Sequence, residues 1–203
     1  MKFGGTSVAD VDRIRAVRDI ISDEIRDGWN VVAVVSAMSK ETNKLIDLAK
    51  QVGVENLVDP EYDSLISTGE DVSSSLLAIA LNSIEISARS WRGWQLPVRT
   101  DSFHSNSKIE EVETIKLINS FKEGLKVGVV SGFQGIERAG RITTLGRGGS
   151  DTSAVAIAAA IDAERCDIYT DVSGIFTTDP RIKRNASKLK KISFEEMLEM
   201  ASL

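Results

Sequence analysis

Apolar residues recur at Val11, Ile14, Val17, Ile21 and Ile25, steps of three and four that line one face of a helix. Ser7 and Asp10 stand ahead of that face at capping-box spacing, with Asp in place of the usual Glu or Gln, and Gly28 closes it as a C-cap glycine. The unbroken run Val31–Val35, rich in β-branched residues, predicts a strand buried on both faces of a parallel sheet. Ser36-Ala37-Met38-Ser39 leaves that strand as a loop, and a second helix runs through Leu45, Ile46, Leu48 and Ala49. Residues 65–84 predict one long helix, apolar at Leu76, Leu77, Ala80, Leu81 and Ile84. Then come a short strand at 86–90, a loop at 91–97, an amphipathic helix at 112–121, a strand at 126–131 and a turn-rich hairpin at 132–144. Residues 151–161 are Ala-rich and apolar on most sides, the pattern of a buried helix. A strand at 166–170 and a helix at 194–203, capped by Ser193 and Glu196, end the chain. The alternation predicts an α/β fold with helices on both faces of a sheet, and no repeat or linker divides it, so one domain over residues 1–203 is expected.

The 203 residues, 42% hydrophobic and 27% charged, suit one soluble α/β domain with a full core. A net charge of -5 and scattered Lys and Arg argue against a nucleic-acid partner; the short run Lys188, Lys190, Lys191 reads as a solvated face. The single cysteine, Cys166, excludes an intrachain disulfide or a cysteine metal cluster. In the stretch Cys166-Asp167-Ile168-Tyr169 a buried structural thiol is expected. The lone His104 has no G-x-S-x-G partner, so a satisfied or exposed loop histidine is expected. No signal peptide is visible, and the best apolar run, 76–81, is too short for a bilayer; a cytoplasmic protein without membrane contact is the expectation.

Candidate chemistry is densest at Thr144-Leu145-Gly146-Arg147-Gly148-Gly149-Ser150-Asp151-Thr152. Glycines let a backbone approach a ligand, a helix N-terminus favours an anion, and Arg147 offers a planar fork to carboxylate or phosphate. The plainer reading is a tight turn with Asp151 capping the helix. Lys2 beside Gly4-Gly5 fits neutralisation of a transferring phosphoryl group, or is simply an exposed lysine. A third cluster, 169–181, follows a strand end, where open α/β sheets bind ligands; ordinary Asp-Pro turn chemistry is its alternative. The P-loop, dinucleotide and protein-kinase signatures are all absent, which leaves phosphate handling by some other fold.

Together these segments closely resemble the aspartate kinase family, a branch of the amino acid kinases. The resemblance rests on Lys2-Phe3-Gly4-Gly5-Thr6-Ser7-Val8, Val35-Ser36-Ala37-Met38-Ser39 with Glu41-Thr42-Asn43, Ser67-Thr68-Gly69-Glu70, Gly132-Phe133-Gln134-Gly135, residues 143–152, residues 169–181 and Phe194-Glu195-Glu196-Met197-Leu198-Glu199-Met200-Ala201, in that order. It implies a three-layer α/β/α sandwich around a mainly parallel sheet of about eight strands, and transfer of the ATP γ-phosphoryl group to the side chain of L-aspartate with Mg²⁺, the entry step to lysine, threonine, methionine and diaminopimelate. A homo-oligomer, a dimer, is implied as well. Lys2 and Asp151 would be catalytic. Thr42, Asn43, Glu70, Arg147, Gly148, Gly149 and Ser150 would bind the amino acid. Lys2, Phe3, Gly4, Gly5, Ser36, Thr170, Asp171, Phe176, Asp179 and Arg181 would bind ATP, and no side chain is singled out as a resident metal ligand. Phe176 stands where the family often has tyrosine. The match begins at the lysine motif and stops inside a helix that the family continues, so the expected domain is a catalytic one cut at both ends, without ACT regulatory domains. Two other readings stay open: a nucleotide-binding remnant of the family with weak or no catalysis, and a related acyl-phosphate or carbamate kinase.

Overall fold

Strands and helices are interleaved from Lys2 to Tyr169. In order they are β1 (Lys2–Phe3), α1 (Val11–Arg26), β2 (Val31–Val35), α2 (Glu41–Gln51), α3 (Pro60–Ile66), α4 (Thr68–Asn82), β3 (Ala88–Trp91) and β4 (Val98–Thr100). They continue with β5 (Ile109–Val112), α5 (Ile115–Lys122), β6 (Val127–Ser131), β7 (Gln134–Ile136), β8 (Ile142–Thr144), α6 (Gly149–Ala160) and β9 (Ile168–Tyr169). The computed structural model describes residues 1–53, 58–171, 174, 176–178, 182–183 and 185–193, in two compact units, Met1–Thr170 and Asp171–Leu203.

In the first unit five strands form a sheet in the order β3-β6-β2-β1-β9, every neighbouring pair parallel. A second sheet of four strands, β5-β4-β7-β8, is antiparallel except where β4 meets β7. Side-chain alternation along β2 decides the layers. Val31, Ala33 and Val35 join Phe3, Val127 and Val129 in a core closed by Ile14, Val17 and Ile21 of α1 and Leu77, Ala78 and Leu81 of α4. Val32 and Val34 point the other way, to Trp91, Val130, Leu117 of α5 and Ala154 and Ile157 of α6. Helices therefore cover both faces of the parallel sheet, the three-layer sandwich expected.

Several local expectations change. Asp10, not Ser7, caps α1: its backbone is extended and its side chain accepts from Arg13 N at 2.8 Å. Ser7 is instead part of the turn after β1, its N–H donating to the Gly4 carbonyl at 2.9 Å. The long helix over 65–84 is two helices broken at Ser67. There the Ser67 and Thr68 hydroxyls donate back to the Ser64 and Leu65 carbonyls, at 3.0 and 2.7 Å, and the Ser67 carbonyl accepts from Gln134 Nε2 at 3.1 Å. Local hydroxyl bonds of this kind compete with the helical ladder.

The strand expected at 86–90 lies at Ala88–Trp91, because Asn82 brackets Ala88 through both N–H and C=O, at 2.9 and 3.0 Å. Trp91, placed in a loop by the sequence, is thereby a buried strand residue. Val112 belongs to β5, and the helix starts only at Ile115. The Ala-rich helix α6 is exposed along one side, with Val155 55% accessible. Cys166 is exposed as well, beside β9, the edge strand of the sheet, whose Ile168 is itself exposed.

Within the second unit, Phe176 pairs antiparallel with Lys188, and Thr177 and Ser187 bond through Thr177 N to Ser187 O at 3.0 Å and Ser187 N to Thr177 Oγ1 at 3.1 Å. The helix expected at 194–203 lies outside the described residues.

Candidate active site

β1 is an interior strand of the parallel sheet, hydrogen-bonded to β2 on one side and β9 on the other. That position buries Lys2 and carries it to the carboxyl edge of the sheet, the edge at which open α/β folds bind ligands. Its side chain is only 10% exposed, and Nζ lies 2.7 Å from Asp151 Oδ1. The pair is a close ionic contact without the alignment of a hydrogen bond. Phe3 next to it is fully buried and stacks on Tyr169 with ring centroids 4.7 Å apart; its carbonyl accepts from Ser36 N at 3.1 Å, so Phe3 serves the core and the sheet rather than the ligand contact expected of it. Gly4 follows, with Lys2 Nζ 3.4 Å from where a Cβ would sit.

Asp151 stands in the first turn of α6, whose N-cap is Gly148. Gly148 has φ +74°, a left-handed backbone that costs glycine little and other residues more. It also has no side chain to occupy the helix end, so the positive end of α6 faces the ligand space. The turn is held from behind by Asp63, a fully buried carboxylate of α3. Asp63 accepts from Thr144 N at 3.0 Å, Thr144 Oγ1 at 2.7 Å, His104 Nδ1 at 2.9 Å and Ser105 N at 3.0 Å. His104 is thus the satisfied loop histidine the sequence suggested.

Glu70 lies opposite, in the first turn of α4. It is 3% exposed; Oε1 accepts from Ala37 N at 3.0 Å, while Oε2 is enclosed with no hydrogen-bond partner. Burial, opposed by the Ala37 N–H and reinforced by the Asp71 charge, pushes its carboxyl up to about 8. The close approach needs glycine: a Cβ on Gly69 would sit 2.8 Å from the Ala37 Cβ.

These groups converge. Lys2, Ser36, Thr42, Glu70, Gly148, Gly149, Ser150 and Asp151 line one cleft of about 220 Å³ together with Phe133 and Gly146. The lysine at the start of the chain and the glycine turn near residue 147 therefore face each other. Arg147 is exposed between Gly146 and Gly148. Asn43 is exposed on α2, outside the lining that Thr42 joins. Thr170 ends the first unit; Asp171 and Phe176 belong to the second; Asp179 and Arg181 lie outside the described residues. Sequence reasoning gave no role to Phe133, whose φ of +68° is a strained value of the kind concentrated at functional sites. Its motif was visible, but a backbone torsion is not.

The cleft is small beside drug-sized pockets. It offers a cation, a helix N-terminus and a buried carboxylate oxygen lacking a donor, a set that suits a small zwitterion carrying an extra anionic group. Larger hollows, of about 450 Å³ around Trp29 and Arg165 and about 720 Å³ between α6 and residues 106–109, lack that convergence. Chemistry rather than size singles out the site. No group of three or more His, Cys, Asp and Glu among the described residues is arranged to hold a metal ion, and no helix among them is long and apolar enough to cross a membrane.

Comparison with known proteins points the same way. The sequence profile of the amino acid kinase family matches residues 1–203. An aspartokinase of Bacillus sp. (strain MGA3) is 54% identical over 202 residues, covering 100% of this chain and 49% of the relative. A solved aspartate kinase from Synechocystis, 48% identical, matches with a TM-score of 0.83 over 99% of this chain and 33% of that chain. E. coli aspartokinase III in complex with aspartate and ADP, 30% identical, gives 0.84 over 100% and 55%. The chain spans about half the length of the curated relatives it matches.

Proposed function

This chain belongs to the amino acid kinase family, and we propose that it is an aspartate kinase catalytic region, moving the γ-phosphoryl group of ATP onto the side-chain carboxylate of L-aspartate. The observation that carries this reading is the buried, unpartnered Glu70 Oε2 in one cleft with Lys2 and the N-terminus of α6. A carboxylate kept from water and short of a donor is a receptor for an ammonium group. A lysine at a helix N-terminus is a receptor for phosphoryl charge. Both line one cleft of about 220 Å³, a volume on the scale of a small amino acid rather than of a drug-sized ligand.

Glu70 receives the α-ammonium and Arg147 grips the α-carboxylate, with Thr42, Asn43, Ser150 and the Gly148–Gly149 backbone completing the pocket. A side-chain carboxylate oxygen of aspartate attacks the γ-phosphorus, the bond to the β–γ bridging oxygen breaks, and ADP leaves. The nucleophile is already ionised at neutral pH, so no general base is required and catalysis is positioning plus electrostatics. Lys2, held by Asp151, meets the charge on the transferring group beside the Gly5 N–H, the Gly4 N–H being directed to the Tyr169 carbonyl at 3.4 Å. Ser36, on the cleft, and Thr170 take part in holding the nucleotide, and Mg²⁺ enters on the phosphates as part of the substrate. The product, 4-phospho-L-aspartate, begins lysine, threonine, methionine and diaminopimelate synthesis, and the working form is a homodimer.

The test is coupled ADP release with aspartate, glutamate and no acceptor, with hydroxylamine trapping the acyl phosphate. Aspartate-dependent ADP and aspartyl hydroxamate are expected. ADP formation indifferent to aspartate would overturn the proposal, and nucleotide binding without turnover would mark a non-catalytic remnant.

A further inference from the structure

Beside Glu70, the next residue of α4 makes a network of its own. Asp71 Oδ1 accepts from Ser131 Oγ at 2.8 Å and from Gln134 Nε2 at 3.1 Å. Its Oδ2 lies 3.0 Å from Arg92 Nε, whose side chain is 44% exposed at the surface. Ser131 and Gln134 bracket Gly132 and Phe133, the bend that brings the strained Phe133 into the cleft. Gln134 is locked at its other end too, its Oε1 accepting from Gly93 N at 3.0 Å, next to Arg92. One carboxylate thus fixes the bend and is balanced by one surface cation.

We infer that Asp71 and Arg92 act as a positioning pair, setting from the surface how readily Glu70 takes up an ammonium group. The inference rests on the reading of Glu70 given above. Asp71 follows Glu70 directly in α4, and its charge acts on Glu70 in the same direction as burial, behind burial and the backbone N–H groups in size. The other charges around the cleft are compensated: Lys2 with Asp151 across it, Glu41 with Lys44 on α2. Arg147 is exposed to water on its turn. Asp71 disfavours a second negative charge at Glu70, and Arg92 offsets Asp71. Removing the charge of Asp71 therefore makes Glu70 easier to ionise, and removing that of Arg92 makes it harder. A scaffold role alone would make both substitutions act in the same direction.

The experiment follows the Glu70 side-chain carboxyl by ¹³C NMR titration, assigned with Glu70→Gln, in the wild type, Asp71→Asn and Arg92→Met. The amide introduced by Asp71→Asn keeps an acceptor for Ser131 and Gln134 and so preserves the bend. The Glu70 midpoint is expected to fall by about half a pH unit in Asp71→Asn and rise by a similar amount in Arg92→Met. At neutral pH the aspartate KM should correspondingly fall and rise by about threefold. Midpoints that stay put, or that move the same way in both variants, overturn the inference. Arg92 is exposed enough that its variant folds, so it alone decides should Asp71→Asn prove unstable. The titration needs no turnover, so its failure is separate from a failure of the kinase reading, which the ADP assay detects.

Discussion

Lys2 Nζ and Asp151 Oδ1 meet at 2.7 Å although they belong to the first strand and the last described helix of the first unit. The contact ties the cation to the helix end that would bind phosphate. Lys2→Met should lower kcat by about a hundredfold or more and change the aspartate KM little, since its charge is needed most as the phosphoryl group transfers. Asp151→Asn should give a smaller loss of kcat, because the lysine stays but is no longer held. Steady-state ADP release checks both.

Arg147→Ala should raise the aspartate KM by about tenfold or more while kcat changes much less, the result of losing a charge-assisted carboxylate contact made equally in ground and transition states. An unchanged aspartate KM would remove Arg147 from the pocket.

Glu70 gives a pH prediction in two parts. Its carboxyl is raised from 4.5 to about 8 in the folded protein, first by burial. Between those values the folded state holds a proton that the unfolded chain has released, so stability falls as pH rises through this window and levels off above it. Glu70→Gln should flatten that slope in Tm measured from pH 5 to 9. Aspartate needs the ionised form, so its KM in the wild type should fall as pH rises toward 8, and its binding should release a proton measurable by calorimetry in buffers of different ionisation enthalpy.

Asp63→Ala should be the most damaging substitution outside the cleft. It strands the buried donors of Thr144 and the partly buried ones of Ser105 and His104, which now share one carboxylate. Loss of such a partner costs about 3 kcal/mol or more, or roughly 6–12 °C in Tm for a chain of this size. Because Thr144 leads into the glycine turn, the surviving protein should also bind aspartate more weakly.

Gly69→Ala sets two effects against each other. Helix propensity gains about 1 kcal/mol, but the new Cβ would sit 2.8 Å from that of Ala37, and overpacking of this kind costs about 1–3 kcal/mol. The steric term should win. Its signature is specific: Ala37 N is the donor that Glu70 Oε1 uses, so the aspartate KM should rise even where Tm falls little.

Much of this arrangement was legible in the residues. Val31–Val35 reads as a strand buried on both sides because its apolar run has no polar face, and it is one. The glycine–arginine turn reads as a ligand loop because Gly148 and the helix after it leave an N-terminus open. Less legible were features decided by partners far away in sequence. The break at Ser67 depends on Gln134, and β4 and β5 are strands of three and four residues, too short to show a period in the sequence. The half-exposed α6 and the exposed Cys166 illustrate the same limit, since apolar composition reports what a segment tolerates rather than what covers it. Nothing in the letters around Phe133 indicates its left-handed backbone.

The strand order has a kinetic corollary. β1 sits between β2 and β9, with Lys2 opposite Val34 on one side and Ile168 on the other. Pairing across such a span is slow, because loop closure is paid before the contacts reward it. The seam between β1 and β9, where Lys2 N donates to the Asp167 carbonyl at 2.7 Å, should therefore be among the last parts of the sheet to gain protection during refolding. Catalytic competence would then lag behind the bulk of the fold, and amide exchange at residues 2–3 would report the moment it arrives.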